Sequence, residues 1–508
     1  MIRKASPVER VRSTIDRRIW LIGAIICFFA YIVTKEVSLP KEVLVMIGGL
    51  GFLSLFMVGL QSPLVPFYVL VAYVPFSRVM VGHMGVDATA FNTTNFLMVW
   101  VFFGYILQRM SKRQPFFGGA PLNKLVWLFC LLGAASLLRA GMSYGSWYFV
   151  ESILPLKRWM TPMLLYFLTL WVVREKRPLK TVVVIMMVVV TVVALMAIRD
   201  YMNASGGSLE KSRVGAIAEN PNTLGAFFNY YMFLFMGFFL VYSKKQLRVW
   251  LLLIPLLLCF RGIMVTFSRG AYLGFAMGCL AACFFRNKPL FVLAVALGAI
   301  VAMHPSMLPA GIRYRLGMTM VHGASLETLG EGGDVTQSLE SSAANRIIIW
   351  RGAVQMIKDH PWWGVGYDAF PYYIGTYTQG MEKERDAHNS YLLIAAEMGI
   401  PTLIVFFLVL FVGVGYTYWL YGHTSDQFLK ATALGLLAGL FALLVANMFG
   451  SRIDSQEASS YFWILLAIVM RGILIEREER QGARGVRQGA RNAGYRRPSG
   501  IPRLNPAV

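Results

Sequence analysis

Long apolar runs recur along most of this chain, and each is close to the length that crosses a bilayer as an α-helix. Of the 508 residues, 57% are hydrophobic and only 15% are charged. A membrane helix needs about 20 mainly apolar residues, whereas a membrane β-barrel shows shorter segments of alternating polarity. The pattern therefore predicts an all-α polytopic membrane protein with about fourteen membrane-spanning helices, and at least about twelve.

The apolar runs divide the chain into four parts. We expect eleven membrane helices in residues 1–303, a loop with the candidate catalytic motifs and its own helices in 304–390, three membrane helices in 391–475, and a disordered basic tail in 476–508. The predicted membrane segments are 19–34, 43–60, 62–81, 91–108, 122–138, 153–173, 181–198, 224–242, 249–266, 270–285, 289–303, 391–420, 431–449 and 458–475.

Basic residues predict the orientation of these helices. The net charge of +22 comes from short basic turns and from the tail. With the N-terminus inside, the basic turns 109–114, 174–177, 243–248 and 286–288 all face the cytoplasm, as the positive-inside rule requires. We therefore expect both termini in the cytoplasm, the 304–390 loop outside, and no nucleic-acid partner. The tail is expected to lie on anionic lipid, with RNA binding as the alternative.

Arg346, in the 304–390 loop, is a charged residue on the apolar face of a predicted helix. The spacing of Ile347, Trp350 and Ile357 predicts a helix from about residue 342 to 360. Arg346 falls on the face of Trp350 and Ile357, whereas Arg351 falls on the more polar face. A charge on a face that packs against the protein is costly without a partner. Arg346 is therefore expected to meet either an internal carboxylate or a bound anion.

A histidine precedes a helix at the end of the same loop. Asn389 or Ser390 is a candidate helix cap, which places His388 at a helix N-terminus. The positive end of the helix dipole disfavours imidazolium, and a neutral imidazole is the form that acts as a general base. Asp386 or Glu384 is a candidate partner that would orient the ring. The alternative is a histidine with a purely structural role.

Further arginines lie at the outer ends of predicted membrane helices. Arg269, in the tight Ser268–Gly270 turn, is expensive at that depth unless it is functional or paired. Arg269, Arg346 and Arg213 suggest one outward-facing anion site, and guanidinium groups match phosphate oxygens. A lipid phosphate or diphosphate is the simplest anion at a membrane surface.

Several classes of site are absent from the sequence. There is no HExxH motif, no P-loop lysine motif and no DxD pair. The five cysteines all lie inside apolar runs, so we predict no disulfide framework and no zinc cluster. A lipid diphosphate is already a good leaving group, and arginines stabilise its developing charge. We therefore expect neither a metal nor a cofactor.

Three motifs together resemble the signature domain of the O-antigen ligase and O-antigen polymerase superfamily. They are N-R-x-x-x-W from Asn345 to Trp350, HPWWGVG from His360 to Gly366, and DAHNSYLLIAAEMGI from Asp386 to Ile400. Upstream, TFSRGA from Thr266 to Ala271 and ENPNTLGAFF from Glu219 to Phe228 are similar to the family's other motifs. The combination is more specific than any one of these pieces.

This resemblance implies a membrane-embedded glycosyltransferase of the GT-C type in the bacterial inner membrane, acting on the periplasmic side. The donor would be an undecaprenyl-diphosphate-linked glycan, and the acceptor a hydroxyl of another glycan, of lipid A core or of a protein. The family's essential histidine and arginines correspond to His388, Arg269 and Arg346. In the family mechanism the histidine activates the acceptor hydroxyl, the lipid diphosphate leaves, and the configuration inverts.

Other polar residues are expected to contact the substrates. The candidates are Arg213, Asn222, Arg158, Asn389 and Glu397. The motifs do not separate a ligase from a polymerase. A lipid-linked oligosaccharide flippase is the alternative function, because Lys157 and Arg158 lie within a predicted membrane segment, where a transporter places its binding residues. A passive membrane anchor that acts through its tail is a third reading.

Overall fold

The computed structural model describes residues 46, 59, 62–80, 92–204, 213–218, 220–308, 313, 341–380, 386–450 and 455–494. Within these ranges the chain is helical and contains no strand. The principal helices are α1 Leu64–Tyr73, α2 Thr93–Ser111, α3 Asn123–Tyr144, α4 Ser146–Val172, α5 Lys176–Asn203, α6 Pro221–Val241, α7 Leu253–Thr266, α8 Arg269–Arg286, α9 Lys288–Met303, α10 Ser341–Asp359, α11 Phe370–Tyr377, α12 Ser390–Met398, α13 Ile400–His423, α14 Gln427–Ala446 and α15 Gln456–Gly494.

Seven helical stretches in the described part of the chain are long and apolar enough to cross a membrane. They are Asn123–Tyr144, Lys176–Asn203, Pro221–Val241, Leu247–Thr266, Ile400–His423, Gln427–Phe449 and Gln456–Gly482. The all-α, multi-pass architecture agrees with the prediction. The count of about fourteen spans stays a prediction, and the first two predicted segments lie outside the described residues apart from Met46 and Gly59.

Helix α15 forms the centre of the bundle. Every residue from Tyr461 to Met470 is buried, and α4, α6 and α13 pack around the helix. A helix that is hydrophobic on all sides belongs in a core of this kind. Helix α9 is the opposite case, because it packs mainly against α8 and none of its side chains is buried. It therefore lies at the edge of the bundle.

A chain break corrects the predicted segment 391–420, which is two helices rather than one. Gly399 separates α12 from α13, with φ +85° and ψ 164°. Only glycine adopts this backbone region readily. A Cβ atom at Gly399 would lie 2.2 Å from the Trp362 carbonyl oxygen. The HPWWGVG segment therefore packs against the break itself.

The same segment satisfies the end of α12. The amides of Val365 and Gly366 donate to the carbonyls of Ala396 and Glu397, at 2.8 and 2.9 Å. These are carbonyls of the last helical turn, which has no partners within the helix. The turn at residues 364–366, which contains Gly364 and Gly366, thus caps α12 and holds it against α13.

Helix α15 continues to Gly494, whereas composition predicted disorder from residue 476; residues 495–508 lie outside the described part, and the disordered tail stays a prediction. Glu476 accepts a hydrogen bond from Thr424 Oγ1 at 2.8 Å, and Lys176 Nζ lies 2.7 Å from Glu479 Oε2. These contacts tie the helix to the ends of α5 and α13. Composition alone indicated disorder because it does not show such pairing.

Candidate active site

A cavity of about 1000 Å³ opens between α7, α8, α9 and α10. Its walls are almost entirely apolar, and of the described residues that line it only Arg269 and Arg346 carry a charge. Trp350 and Phe449 complete the lining beside Arg346. We call this space the Arg269–Arg346 cavity. It joins two residues that the sequence predicted to share an anion site, although they lie far apart in the chain.

Arg269 is the first residue of α8, and a sharp turn places it there. Phe267 adopts a left-handed conformation with φ +50°, which ends α7 and reverses the chain. Gly270 then allows close packing, because a Cβ atom there would lie 2.8 Å from Phe449 Cβ. The positive charge of Arg269 adds to the positive end of the α8 dipole, which is a favourable place for an anion.

Arg346 lies in the second turn of α10, one turn before Trp350. The buried face of this helix is formed by Ile349, Ala353 and Met356. Arg346 is half-buried at the edge of that face, and Arg351 is exposed. The predicted contrast between the two arginines is therefore confirmed. Arg346 lines the cavity, and Arg351 is exposed.

The lining of the cavity suits an amphiphilic molecule. Arg269 begins α8, and Leu280 lines the same cavity eleven residues further along the helix. At 1.5 Å per residue this is about 16 Å. The wall between them is formed by apolar faces of α8 and α9. A molecule with an anionic head and a long hydrocarbon tail matches a cavity with two arginines and an apolar extension.

His388 and Asp386 form a carboxylate–histidine pair. Asp386 Oδ1 accepts from the His388 amide at 3.1 Å, and Asp386 Oδ2 lies 3.3 Å from His388 Nδ1. The second contact is electrostatic rather than an aligned hydrogen bond. Catalytic hydrogen bonds are often poorly aligned before substrate binds. Of the two predicted partners Asp386 is thus present, and Glu384 lies outside the described residues.

The residues next to His388 are bonded to the walls of the cavity. Trp350 Nε1 donates to the Ala387 carbonyl at 3.0 Å. On the other side, Ser390 Oγ donates to Asn447 Oδ1 at 2.8 Å, and Phe449 of the same turn lines the cavity. His388 itself is not among the lining residues, but it is held between two elements that are.

Two predicted substrate contacts, Arg213 and Asn222, instead support the turn before Arg269. Arg213 Nε donates to the Thr266 carbonyl at 3.1 Å, and its Nη2 donates to Asn222 Oδ1 at 3.0 Å. Neither residue is among those that line the cavity. Their contacts stabilise the reversal between α7 and α8, and so they position Arg269.

Asn389 acts as the cap of α12, as the sequence allowed. Its Oδ1 accepts from the amides of Tyr391 and Leu392, at 2.9 and 3.2 Å. That oxygen is therefore engaged with the helix, and the residue fixes the backbone next to His388. The predicted substrate contact of Asn389 stays a prediction.

Glu397 and Arg158 lie apart from the cavity. The Glu397 side chain accepts from the Phe370 amide at 3.2 Å and is buried. It helps to fasten the HPWWGVG turn to α12. Arg158 is exposed on α4, a helix that contributes no described residue to the cavity lining. The structure thus brings together Arg269 and Arg346, with His388 next to them, but not these two residues.

A group of docking residues on α3 and α4 was not predicted. Arg139 Nη2 donates to the Gly364 carbonyl at 2.8 Å, Tyr144 Oη to that of Val365 at 2.6 Å, and Ser152 Oγ to Asp368 Oδ2 at 3.1 Å. Burial raises the pKa of the Asp368 carboxyl. The signal in the sequence was the unusually polar and aromatic outer turn around residues 139–152, which resembled an ordinary membrane-interface segment.

The apolar wall of the cavity was also missed. Gly298 and Val301 of α9 line it, but the sequence of α9 resembles that of any other apolar helix. No signal in a single sequence distinguishes a helix face that meets a substrate from one that meets lipid.

Residues 254–407 match the family model described as O-Antigen ligase. The matched region contains Arg269, Arg346 and His388 and most of the cavity walls, whereas Arg213, Asn222 and Arg158 precede it. No curated protein matches the chain. The family and the apolar helices support a multi-pass membrane glycosyltransferase of the O-antigen ligase or polymerase type. By its motifs and by this match, the region from residue 254 to 407 is similar to the O-antigen ligase family.

Proposed function

We propose that this protein transfers a glycan from an undecaprenyl-diphosphate carrier to an acceptor hydroxyl on the periplasmic side of the bacterial inner membrane. The observation that carries this proposal is the Arg269–Arg346 cavity, with two arginines and an apolar extension of about 16 Å along α8. A polyprenyl diphosphate combines the two chemistries that such a cavity would bind. The family match supports the glycosyl-transfer part of the proposal.

The reaction is a single displacement at the anomeric carbon. The acceptor O–H proton passes to Nε2 of His388, and the acceptor oxygen forms the new bond to the anomeric carbon. The bond to the diphosphate oxygen breaks, and its electron pair stays on the leaving diphosphate. Attack from the face opposite the leaving group inverts the configuration. No metal is required in this scheme, because the guanidinium groups of Arg269 and Arg346 stabilise the charge on the leaving group.

The position of Asp386 determines which ring nitrogen of His388 carries the proton. Its carboxylate lies beside Nδ1, which favours the tautomer with the proton on Nδ1 and leaves Nε2 as the proton acceptor. The N-terminus of α12 opposes a resting positive charge on the ring. The imidazolium formed during transfer is then stabilised by Asp386, as in other histidine–carboxylate pairs.

No described contact favours the flippase alternative. That reading required Lys157 and Arg158 to line a central binding site. Arg158 is exposed on the outside of α4, and neither residue lines the Arg269–Arg346 cavity. The experiments below identify the acceptor, and the acceptor distinguishes a ligase from a polymerase.

The test compares His388→Ala with His360→Ala in a strain that lacks this protein. His360 is an exposed histidine of the same outer region, so its loss controls for a change of residue type. We expect His388→Ala to lower transfer by about 10² to 10⁴ while membrane levels stay normal, and His360→Ala to restore transfer. Surface glycan and carrier-linked glycan are resolved on gels. Normal surface glycan with His388→Ala would overturn the proposed general base.

The arginine pair is tested in the same strain. Arg346→Gln is compared with Arg351→Gln, which removes an exposed charge from the same helix. We expect loss of transfer only for Arg346→Gln. Single repeats that accumulate on the carrier indicate a polymerase, whereas full-length chains on the carrier indicate a ligase. Equal activity of both variants would remove the arginine from the mechanism.

A further inference from the structure

A second group of arginines lies at the far end of α4, about 30 Å along that helix from Ser152, which contacts Asp368. Arg109 ends α2, Arg174 follows α4, and Arg471 projects from α15. Arg109 and Arg471 are only 5% and 8% exposed. Arg174 is close enough for its charge to act on both of the others. Three cations are thus collected in a largely desolvated place.

Most hydrogen bonds of these side chains go to neutral backbone groups. Arg109 Nε donates to the Pro115 carbonyl at 2.9 Å, Arg174 Nε to that of Trp171 at 3.0 Å, and Arg471 Nη2 to that of Leu170. Among the described residues no carboxylate lies within 4.0 Å of any of the three guanidinium groups. The carbonyls supply hydrogen bonds but no full negative charge.

The negative charges around the three arginines do not cancel their positive charges, so the group keeps a net positive charge. The C-terminal ends of α2 and α4 contribute about half a negative charge each. Glu478, which is exposed, is a carboxylate whose charge acts on Arg471. Together they leave about one of the three positive charges without compensation. Moreover, Arg471 Nε is buried and has no hydrogen-bond partner, although a buried donor without a partner is costly.

An exposed aromatic surface adjoins the arginines. Phe117 and Phe102 pack against Trp171 with ring centroids 4.7 and 6.1 Å apart. Phe117 is 59% exposed and Phe102 is 40% exposed. The carbonyl of the same Trp171 accepts from Arg174. An exposed aromatic surface beside a group of arginines suits a molecule that carries both a phosphate and hydrocarbon chains.

We propose that Arg109, Arg174 and Arg471 bind the phosphate of an anionic phospholipid, whose chains lie on the Phe102–Phe117 surface. The site lies on the side that the basic turns predict to be cytoplasmic, so it is distinct from the Arg269–Arg346 cavity. A phosphodiester carries the one negative charge that the site lacks, and the guanidinium fork matches its oxygens. Because the site joins the ends of α2 and α4 to the middle of α15, lipid binding stabilises the bundle.

The test measures the apparent Tm of the full-length protein after delipidation in a neutral detergent. Phosphatidylglycerol, phosphatidylcholine and inorganic phosphate are added separately at the same concentration. We expect phosphatidylglycerol to raise the apparent Tm by about 3–6 °C and phosphatidylcholine to raise it much less. An equal rise with inorganic phosphate would assign the site to free phosphate. Equal shifts with both lipids would overturn the proposal.

Variants connect the shift to the arginines. Arg174→Gln, which is half-buried and therefore tolerant, is compared with Lys245→Gln, an exposed charge on a different basic turn. We expect the phosphatidylglycerol shift to fall at least about twofold in Arg174→Gln and to persist in Lys245→Gln. Arg471→Gln tests a buried member of the group in the same way. If that variant does not fold, native mass spectrometry gives a second readout, because it counts the phosphatidylglycerol bound to the other proteins. A full shift in Arg174→Gln would place the lipid elsewhere.

Discussion

His388 illustrates how much of a site depends on single residues. Its backbone is left-handed, with φ +49°, which is uncommon for a residue other than glycine. Asp386 holds both its amide and its ring, and Asn389 caps the helix that follows. Such strain concentrates at functional sites. Asp386 and Asn389, close neighbours in the chain, therefore fix the backbone on both sides of His388.

Asp386→Asn tests this orientation. The amide keeps the size of the side chain but loses the charge that stabilises the imidazolium. We expect kcat for glycan transfer to fall about 10²-fold, with little change in the KM for the donor. The measurement uses purified protein and a lipid-linked donor. Asp359→Asn, an exposed residue at the end of α10, serves as the control, and unchanged kcat in Asp386→Asn would refute the role.

Asp368 gives a prediction about pH. Burial raises the pKa of this carboxyl above its ordinary value of 3.8, Glu151 adds repulsion, and the hydrogen bond from Ser152 opposes both. Because the folded-state pKa is raised, the stabilising contribution is complete below pH 3.8 and is lost as the pH rises through the folded-state pKa. Asp368→Asn should abolish this loss.

We therefore expect the Tm of Asp368→Asn to rise relative to the Tm of wild type as the pH increases from about 4 to about 7. Asparagine is suited to the left-handed backbone at this position, where φ is +67°. Thermal unfolding in detergent at a series of pH values measures the difference. A constant difference across this range would show that Asp368 does not titrate as described.

At the scale of elements, the junction between α12 and α13 decides where His388 lies. The HPWWGVG turn caps α12 from one side, and Arg139 and Tyr144 hold that turn from α3. His388 directly precedes Asn389, the cap of α12. A fixed junction thus connects the position of the histidine to the membrane helices below it.

Gly399→Ala is expected to destabilise this junction by about 2–4 kcal/mol. The new Cβ atom would lie 2.2 Å from the Trp362 carbonyl oxygen, in a backbone region that alanine disfavours. The control is Gly415→Ala in α13, where an added Cβ atom would have no neighbour within 4 Å. Thermal unfolding of both variants in detergent measures the effect, and a Gly399→Ala protein as stable as Gly415→Ala would contradict it.

At the scale of the whole molecule, the bundle has a closely packed core and an open edge. Helices α6, α14 and α15 form a closely packed core, with Gly237 and Gly435 at the contact between α6 and α14. Small residues allow membrane helices to approach closely. The edge formed by α9 and α10 beside α8 leaves the Arg269–Arg346 cavity open. A rigid core beside an open edge suits a protein that admits a long lipid.

Filling the cavity tests whether it holds the carrier lipid. Gly298 lines the cavity, and a Cβ atom added there would have no neighbour within 4 Å, so Gly298→Trp fits without a clash. We expect the KM for a long-chain polyprenyl-diphosphate donor to rise about tenfold, and that for a short-chain donor less than about twofold. Gly415→Trp, outside the cavity, is the control. Equal effects on both donors would place the carrier chain elsewhere.

The class of the protein could be predicted from its sequence alone, because the length and polarity of each run determine whether a helix can cross a bilayer. The predicted helix at 342–360, the cap at Asn389 and the contrast between Arg346 and Arg351 were also correct. These features are local, since helix periodicity and capping depend on residues within about one turn of each other.

Only the tertiary structure decided how these parts form a site. It separated Glu397 and Arg158 from the cavity, gave Arg213 and Asn222 a supporting role, and joined Arg269 to Arg346. It also showed that α9 forms a cavity wall. The physical reason is that apolar helices are alike in composition, so packing over long sequence distances, and not local pattern, determines which faces enclose a substrate and which meet lipid.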